Sequence, residues 1–147
     1  MSLPVRIQHD NTGHDAEVTP YGELVTGAIE FDQSYNATCS SAGVAANLLG
    51  PIADKFFVIT QLYVKANRNV SNTVDATFEL FEATAEDSAT VSKELYTVQL
   101  VRGNAANIGG LRLKLTPGVW LNAKADQTVF YVTVFGYYVN VPLTERT

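Results

Sequence analysis

The chain has 147 residues, 46% of them hydrophobic and 17% charged, with ten Lys and Arg against fifteen Asp and Glu for a net charge of −5. That length and balance fit one globular domain with a core large enough to need neither metal nor disulfide, and they exclude a disordered or collagen-like chain. The net acidity disfavours nucleic-acid phosphate as a partner, because counterion release needs clustered Lys and Arg.

The imbalance sits at one end. Up to residue 32 the acids are Asp10, Asp15, Glu17, Glu23, Glu30 and Asp32, opposed only by Arg6, which accounts for the whole −5; over residues 33–147 nine acids meet nine bases. Residues 1–27 hold one aromatic, Tyr21, and the turn formers Asn11, Gly13, Pro20 and Gly22, too little apolar side chain to build a core alone. They read as an extended N-terminal arm that orders only against the body or another molecule, anchored by Val5, Ile7, Val18, Leu24 and Val25; the alternative is a flexible acidic tail that binds nothing. Residues 28–147 form the body.

Within the body, residues 28–32 make a short strand candidate, and residues 43–49 fit either a strand or a helical turn. Residues 55–66 (KFFVITQLYVKA) carry apolar side chains on both faces, as expected of a strand buried on both sides or kinked midway. A turn follows over 67–72. Residues 74–83 alternate, with Val74, Ala76, Phe78 and Leu80 on one face. Residues 94–101 put Tyr96, Val98 and Leu100 together, and the Gly- and Asn-rich stretch 103–110 reads as a loop. Leu111, Leu113 and Leu115, alternating with Arg112 and Lys114, give the cleanest period-two signal in the chain. Thr116, Pro117 and Gly118 turn the chain into Val119, Trp120 and Leu121, and residues 122–127 read as a polar turn. The last run, 128–139, has the branched and aromatic density of a central strand, with Phe130, Val132 and Val134 on one face and Gly136 as a bulge or close approach. Seven or eight short strands and no amphipathic helix of three turns predict an all-β fold, a jelly-roll-like antiparallel β-sandwich, with a partly open barrel as the alternative.

The chemistry-bearing residues are sparse. Cys39 has no cysteine partner, and with no N-terminal apolar segment of signal type it points to folding in a reducing compartment. The longest strongly apolar stretch, 129–139, is too short to span a bilayer as a helix, so no membrane partner is expected. His9 and His14 lie near Asp10 and Asp15, but a metal site lacks further ligands, and neither metal nor cofactor is expected. Glu79 with Glu82 and Glu86 with Asp87 are the nearest carboxylate pairs, and they read as strand and loop solubility rather than glycosidase chemistry. No phosphate-binding glycine motif occurs, and the expectation is a non-enzyme. Tyr131, Phe135, Tyr137, Tyr138 and Trp120 form either a subunit interface or a sugar-stacking platform; because consecutive tyrosines on a strand face opposite ways, one of Tyr137 and Tyr138 should lie outside the core.

KFFVITQLYVKA at 55–66, FELFEA at 78–83, GLRLKLTPGVWLNAKADQTVF at 110–130 and YVTVFGYYV at 131–139 together resemble small virion structural proteins of tailed bacteriophages, and EVTPYGELVTG at 17–27 looks like the segment that precedes such domains. The resemblance covers most of residues 17–140 as a pattern of strands and turns. It implies a structural role without catalytic residues: a capsid cement or decoration protein, assembled in the host cytoplasm, that binds the major capsid protein on the outer virion surface as a homotrimer. In that setting Val5, Ile7, Val18, Tyr21 and Leu24 would contact the capsid or a neighbouring subunit, and Trp120, Tyr137 and Tyr138 the subunit interface. A tail-spike or fibre module that binds host glycans, or a tail-assembly component, is the alternative.

Overall fold

The computed structural model describes residues 8–9, 14–15, 32–66, 75–100, 104–127 and 129–142. Its strands are β1 (Gln8–His9), β2 (His14–Asp15), β3 (Gln33–Cys39), β4 (Ala46–Leu49), β5 (Lys55–Ala66), β6 (Ala76–Ala83), β7 (Lys93–Leu100), β8 (Ala105–Ile108), β9 (Leu113–Lys114), β10 (Trp120–Ala125) and β11 (Phe130–Asn140). Among the described residues, β1 and β2 pair with each other alone. The others form two antiparallel sheets: one in the order β4-β10-β6-β7, the other β3-β11-β5-β8 with β9 also on β5. The protein is an antiparallel β-sandwich.

The pairings nest. β3 pairs with β11, β4 with β10, β5 with β8 and β9, and β6 with β7, so the chain runs like one long hairpin folded over until its outer limbs meet. The core lies between the sheets, where Phe57, Ile59, Leu62, Val64, Phe130, Val132 and Val134 from one wall meet Phe78, Leu80, Leu121 and Ala123 from the other. These are the alternate positions of each strand, which the pleat turns to one face.

The double-sided hydrophobicity of β5 has a geometric cause. Opposite β11 its register shifts between Phe135 and Gly136, so Gln61 faces Phe135 while Ile59 faces Gly136 and Thr60 is extra. A bulge of this kind bends the strand and raises its twist. Gly136 is needed there, because a Cβ at that position would collide with the Val58 carbonyl oxygen and stand 2.8 Å from the Phe57 ring.

Several sequence expectations need correcting. Gln33–Cys39, which carried no strand expectation, is an edge strand; its outward positions are Ser34, Asn36 and Thr38, so its apolar signal is confined to one face. The stretch 103–110 is not all loop, since Ala105–Ile108 pairs with β5. The expected polar turn at 122–127 is strand as far as Ala125, because Asn122 is a buried polar strand residue and not a turn former. The clean alternation at 111–115 yields only the two-residue β9. The expected turn at 67–72 and most of the strand candidate at 28–32 lie outside the described residues.

Candidate functional site

The two sheets differ in the charged residues that their strands carry. The strands of the five-stranded sheet carry Lys55, Lys65 and Lys114 and no acid. The strands of the four-stranded sheet carry Glu79, Glu94, Lys93 and Lys124 besides the buried Glu82, with Glu86 and Asp87 in the loop between β6 and β7.

The outer face of the five-stranded sheet divides into two ends. At one end, Phe56, Val58 and Val141 form a small buried cluster separate from the main core, with Tyr137 and Val139 packed on it. The Lys114 ammonium lies 4.1 Å from the centre of the Phe56 ring, a cation–π distance, and Arg112 donates to the Tyr137 hydroxyl at 3.5 Å. At the other end the register fixes three rows of outward side chains across β3, β11, β5 and β8. Thr38, Tyr131, Lys65 and Ala105 make the first; Asn36, Thr133, Tyr63 and Asn107 the second; Ser34, Phe135 and Gln61 the third. The Gln61 amide donates to Asn107 Oδ1 at 2.7 Å, tying the second and third rows together.

Of the three expected interface residues, Tyr137 is outward, on the apolar end of this face. Tyr138 turns inward, as consecutive strand positions require. Its hydroxyl and that of Tyr35 share a hydrogen bond at 2.9 Å, and its ring meets Phe57 edge-on at 5.1 Å. Burial, and after it the Tyr35 hydrogen bond, push the Tyr138 phenol well above the usual tyrosine range. Trp120 lies on the other sheet, its ring so close over Gly50 that a Cβ there would stand 2.8 Å from it. The structure therefore does not bring Trp120, Tyr137 and Tyr138 to one surface, and Trp120 shares no sugar-stacking face with Tyr131, Phe135 and Tyr137. Tyr63, which does share that face, was legible only as part of a strand; the alternation of β5 past its bulge is the signal that places it. Val5, Ile7, Val18, Tyr21 and Leu24 lie outside the described residues.

The carboxylate pair Glu79 and Glu82 is split. Glu79 faces Lys124 at 3.4 Å, whereas Glu82 is only 2% exposed. Its carboxylate accepts from the Thr116 backbone N–H at 2.7 Å and the Thr116 hydroxyl at 2.9 Å, with the Lys93 ammonium at 4.0 Å. That is a clamp on the β9–β10 connection and offers no second carboxyl for acid–base work. On the outer side of the same sheet, the buried Asn122 amide donates to the carbonyls of Ala85 and Ser88, at 3.1 and 3.0 Å, and accepts from Asn47 at 2.9 Å. His9 and His14 stand opposite each other in the β1–β2 pair. Among the described residues no group of three or more His, Cys, Asp or Glu side chains could hold a metal, and no helix is long and apolar enough to cross a membrane. Cys39 is buried in the core, and burial raises its thiol from 9.0 to about 11.

Fold and surfaces thus define an all-β antiparallel sandwich whose five-stranded sheet carries lysines and no acid on its strands. No family model, curated protein or solved structure matches the chain.

Proposed function

We propose that the protein is a virion structural protein of the tailed-bacteriophage kind, a cement protein that binds the major capsid protein on the outer head surface as a homotrimer and stabilises the head. The observation that carries this reading is the division of the chain: all of the net charge of −5 falls in its first 32 residues, −3 of it in the arm 1–27, ahead of residues 33–147, whose acids and bases balance. A segment that lacks core-forming residues and orders on docking can wrap a large surface, the mechanical requirement of a cement. Two four-strand walls whose strands pair first with last and inward to a central hairpin, taking β8 and β9 as one broken strand, support a jelly-roll wind, an architecture that viral capsid proteins use.

The test is co-sedimentation with heads of the phage that encodes it. Deleting residues 1–27 is expected to leave a β-rich circular dichroism spectrum and abolish decoration. Decoration at full occupancy by the truncated chain would overturn the role given to the arm. A density map of the intact particle decides between a cement and a fibre module, because cement subunits number in the hundreds per particle and fibre modules in tens or fewer.

A further inference from the structure

We infer that the outward edge of β3 pairs with β3 of a second copy of the chain, antiparallel about a two-fold axis at Asn36, so that the five-stranded sheets of two protomers join into one. The inference goes beyond the capsid reading and stands apart from it. An isologous contact is two-fold, so it is not the contact that closes a trimer; on a head it would tie together copies of neighbouring trimers.

Of the four sheet edges, three are blunted. An edge strand exposes unpaired N–H and C=O groups, and proteins keep it from accepting a stray strand with bulges, charges or shortness. β4 has four residues and carries a bulge, since Leu121 faces Leu49 and Asn122 faces Asn47 with Leu48 extra. β7 is longer, but it bulges at Leu95, between the partners of Leu80 and Phe81, and carries Lys93 and Glu94. On the far edge of the other sheet, β8 and β9 are separate pieces of four and two residues. β3 has none of these devices. Its seven residues, QSYNATC, hold no charge, and its register with β11 runs without a shift from Gln33 to Cys39.

The hydrogen bonds of β11 show which β3 groups point outward. The Gly136 carbonyl accepts from the Asp32 N–H on the β3 side, at 3.1 Å, whereas the Phe135 carbonyl accepts from the Thr60 hydroxyl on the β5 side, at 3.2 Å. Successive strand residues aim their backbone groups at opposite neighbours. Val134 and Val132 therefore bond to Tyr35 and Ala37, and Ser34, Asn36 and Thr38 aim their N–H and C=O away from β11. Among the described residues nothing bonds to those groups.

Self-complementarity selects the occupant. Laid antiparallel on itself about Asn36, the strand overlaps along its whole length, 33 to 39. Ser34 then stands opposite Thr38 of the second copy and Asn36 opposite its own counterpart, all hydrogen-bonding side chains on the outer face. On the core face Tyr35 stands opposite Ala37, large against small, and within one protomer both are only partly buried against the core. The outward groups of Ser34, Asn36 and Thr38 supply about six backbone hydrogen bonds between the copies, and no charge meets its like along the strand. One strand pair is a small interface, so the contact is weak in solution and gains from copies already held side by side.

The experiment takes the full chain through sedimentation equilibrium from about 1 to about 500 μM, a range suited to a small interface. The expected result is a mass that doubles as concentration rises. Asn36→Pro removes an N–H that points away from β11, where an edge strand tolerates proline, and should weaken the doubling about tenfold or more with the β-rich circular dichroism spectrum kept. Asn36→Lys sets two ammonium groups opposite each other across the axis and should do the same. Disulfide trapping reads the register. In the paired strands the two Asn36 Cα atoms stand about 5.5 Å apart, within disulfide reach, whereas the two Thr38 Cα atoms stand about 13 Å apart. Oxidised with copper phenanthroline in air, the Asn36→Cys chain should link into covalent pairs and the Thr38→Cys chain should not; the parent, whose one cysteine, Cys39, is buried, is the blank. A mass of one chain at every concentration overturns the inference, as does equal linking by the two cysteine variants. Association that Asn36→Pro and Asn36→Lys both leave unchanged also rejects it, and a three-chain mass of that kind would leave the trimer of the capsid reading standing without the edge contact.

Discussion

A buried carboxylate is stable only when its oxygens find donors, and Glu82 finds both at one residue. Thr116 gives its backbone N–H to one oxygen and its hydroxyl to the other. Thr116→Val keeps the shape and removes the hydroxyl, leaving a buried charged oxygen without that donor, so the variant should lose about 1–3 kcal/mol of stability in urea unfolding. Glu82→Gln should lose less, because the Thr116 hydroxyl can rotate to accept from the new amide. A Thr116→Val chain as stable as the parent would show that the clamp contributes nothing. Cys39 makes a second prediction at this scale. Its thiol titrates near 9.0 when free of the fold and near 11 when buried, so burial favours the neutral form. The sign follows from proton linkage: below pH 9 the thiol is protonated in both states and its contribution is fully present. Between pH 9 and about 11 the unfolded chain ionises first and stability falls. Cys39→Ala should therefore show a shallower decline of the urea midpoint from pH 8 to 11 than the parent. Parallel curves would mean that the thiol is not linked to folding.

Among the elements, the connection between β6 and β7 shows how a polar strand residue does the work expected of a turn. Phe81 and Asn122 oppose each other on β6 and β10, and both are fully buried although they face away from the main core. The chain after β6 folds back over them: Asn122 holds the carbonyls of Ala85 and Ser88, and the Lys124 ammonium donates to the Ala89 carbonyl at 3.1 Å while lying 5.2 Å from the Phe81 ring centre. Asn122→Asp replaces two amide donors with a carboxylate aimed at two carbonyls. It should destabilise the protein by about 1–3 kcal/mol or more, open residues 84–92 to proteolysis, and recover part of the loss as the acid protonates at low pH. Unchanged protease resistance at neutral pH would refute the clamp. The same residue marks the limit of what sequence patterning reveals. β5, β6, β7 and β11 were readable because their alternation and branched density match the pleat, and Gly136 was readable as a bulge. β3, β8 and the second half of β10 were not, since two are edge strands whose outward side chains are small and polar, and the third buries an Asn whose partners are backbone carbonyls 34 and 37 residues away. The outer aromatic face suffered the same limitation. Tyr131, Phe135 and Tyr137 stood out as aromatics, but only the β5–β11 register shows that Tyr63 joins them, that Tyr138 points inward and that Trp120 belongs to the other sheet.

Across the molecule, the nested pairing sets an order in which the chain can close. β6 and β7 are neighbours in sequence, whereas β3 and β11 meet across the body, and the Tyr35–Tyr138 hydroxyl bond spans 103 residues. Joining distant segments early is entropically unfavourable, and local contacts offset part of that loss for each later pairing. The β6–β7 hairpin is accordingly expected to be formed in the folding transition state, and the β3–β11 closure to follow it. Val98 lies in that hairpin opposite Phe78, and Val132 is buried in β11 between Ala37 of β3 and Val64 of β5. Truncating either to Ala removes core volume of the same size, yet the kinetic consequences should separate. Val98→Ala should mainly slow folding, and Val132→Ala should mainly speed unfolding with the folding arm of the chevron nearly unmoved. Stopped-flow refolding should show a millisecond-to-second phase, as for other sandwiches dominated by non-local pairs. If Val132→Ala slows folding while Val98→Ala accelerates unfolding, the outer limbs meet first, and the fold closes from its ends inward instead of from its central hairpin.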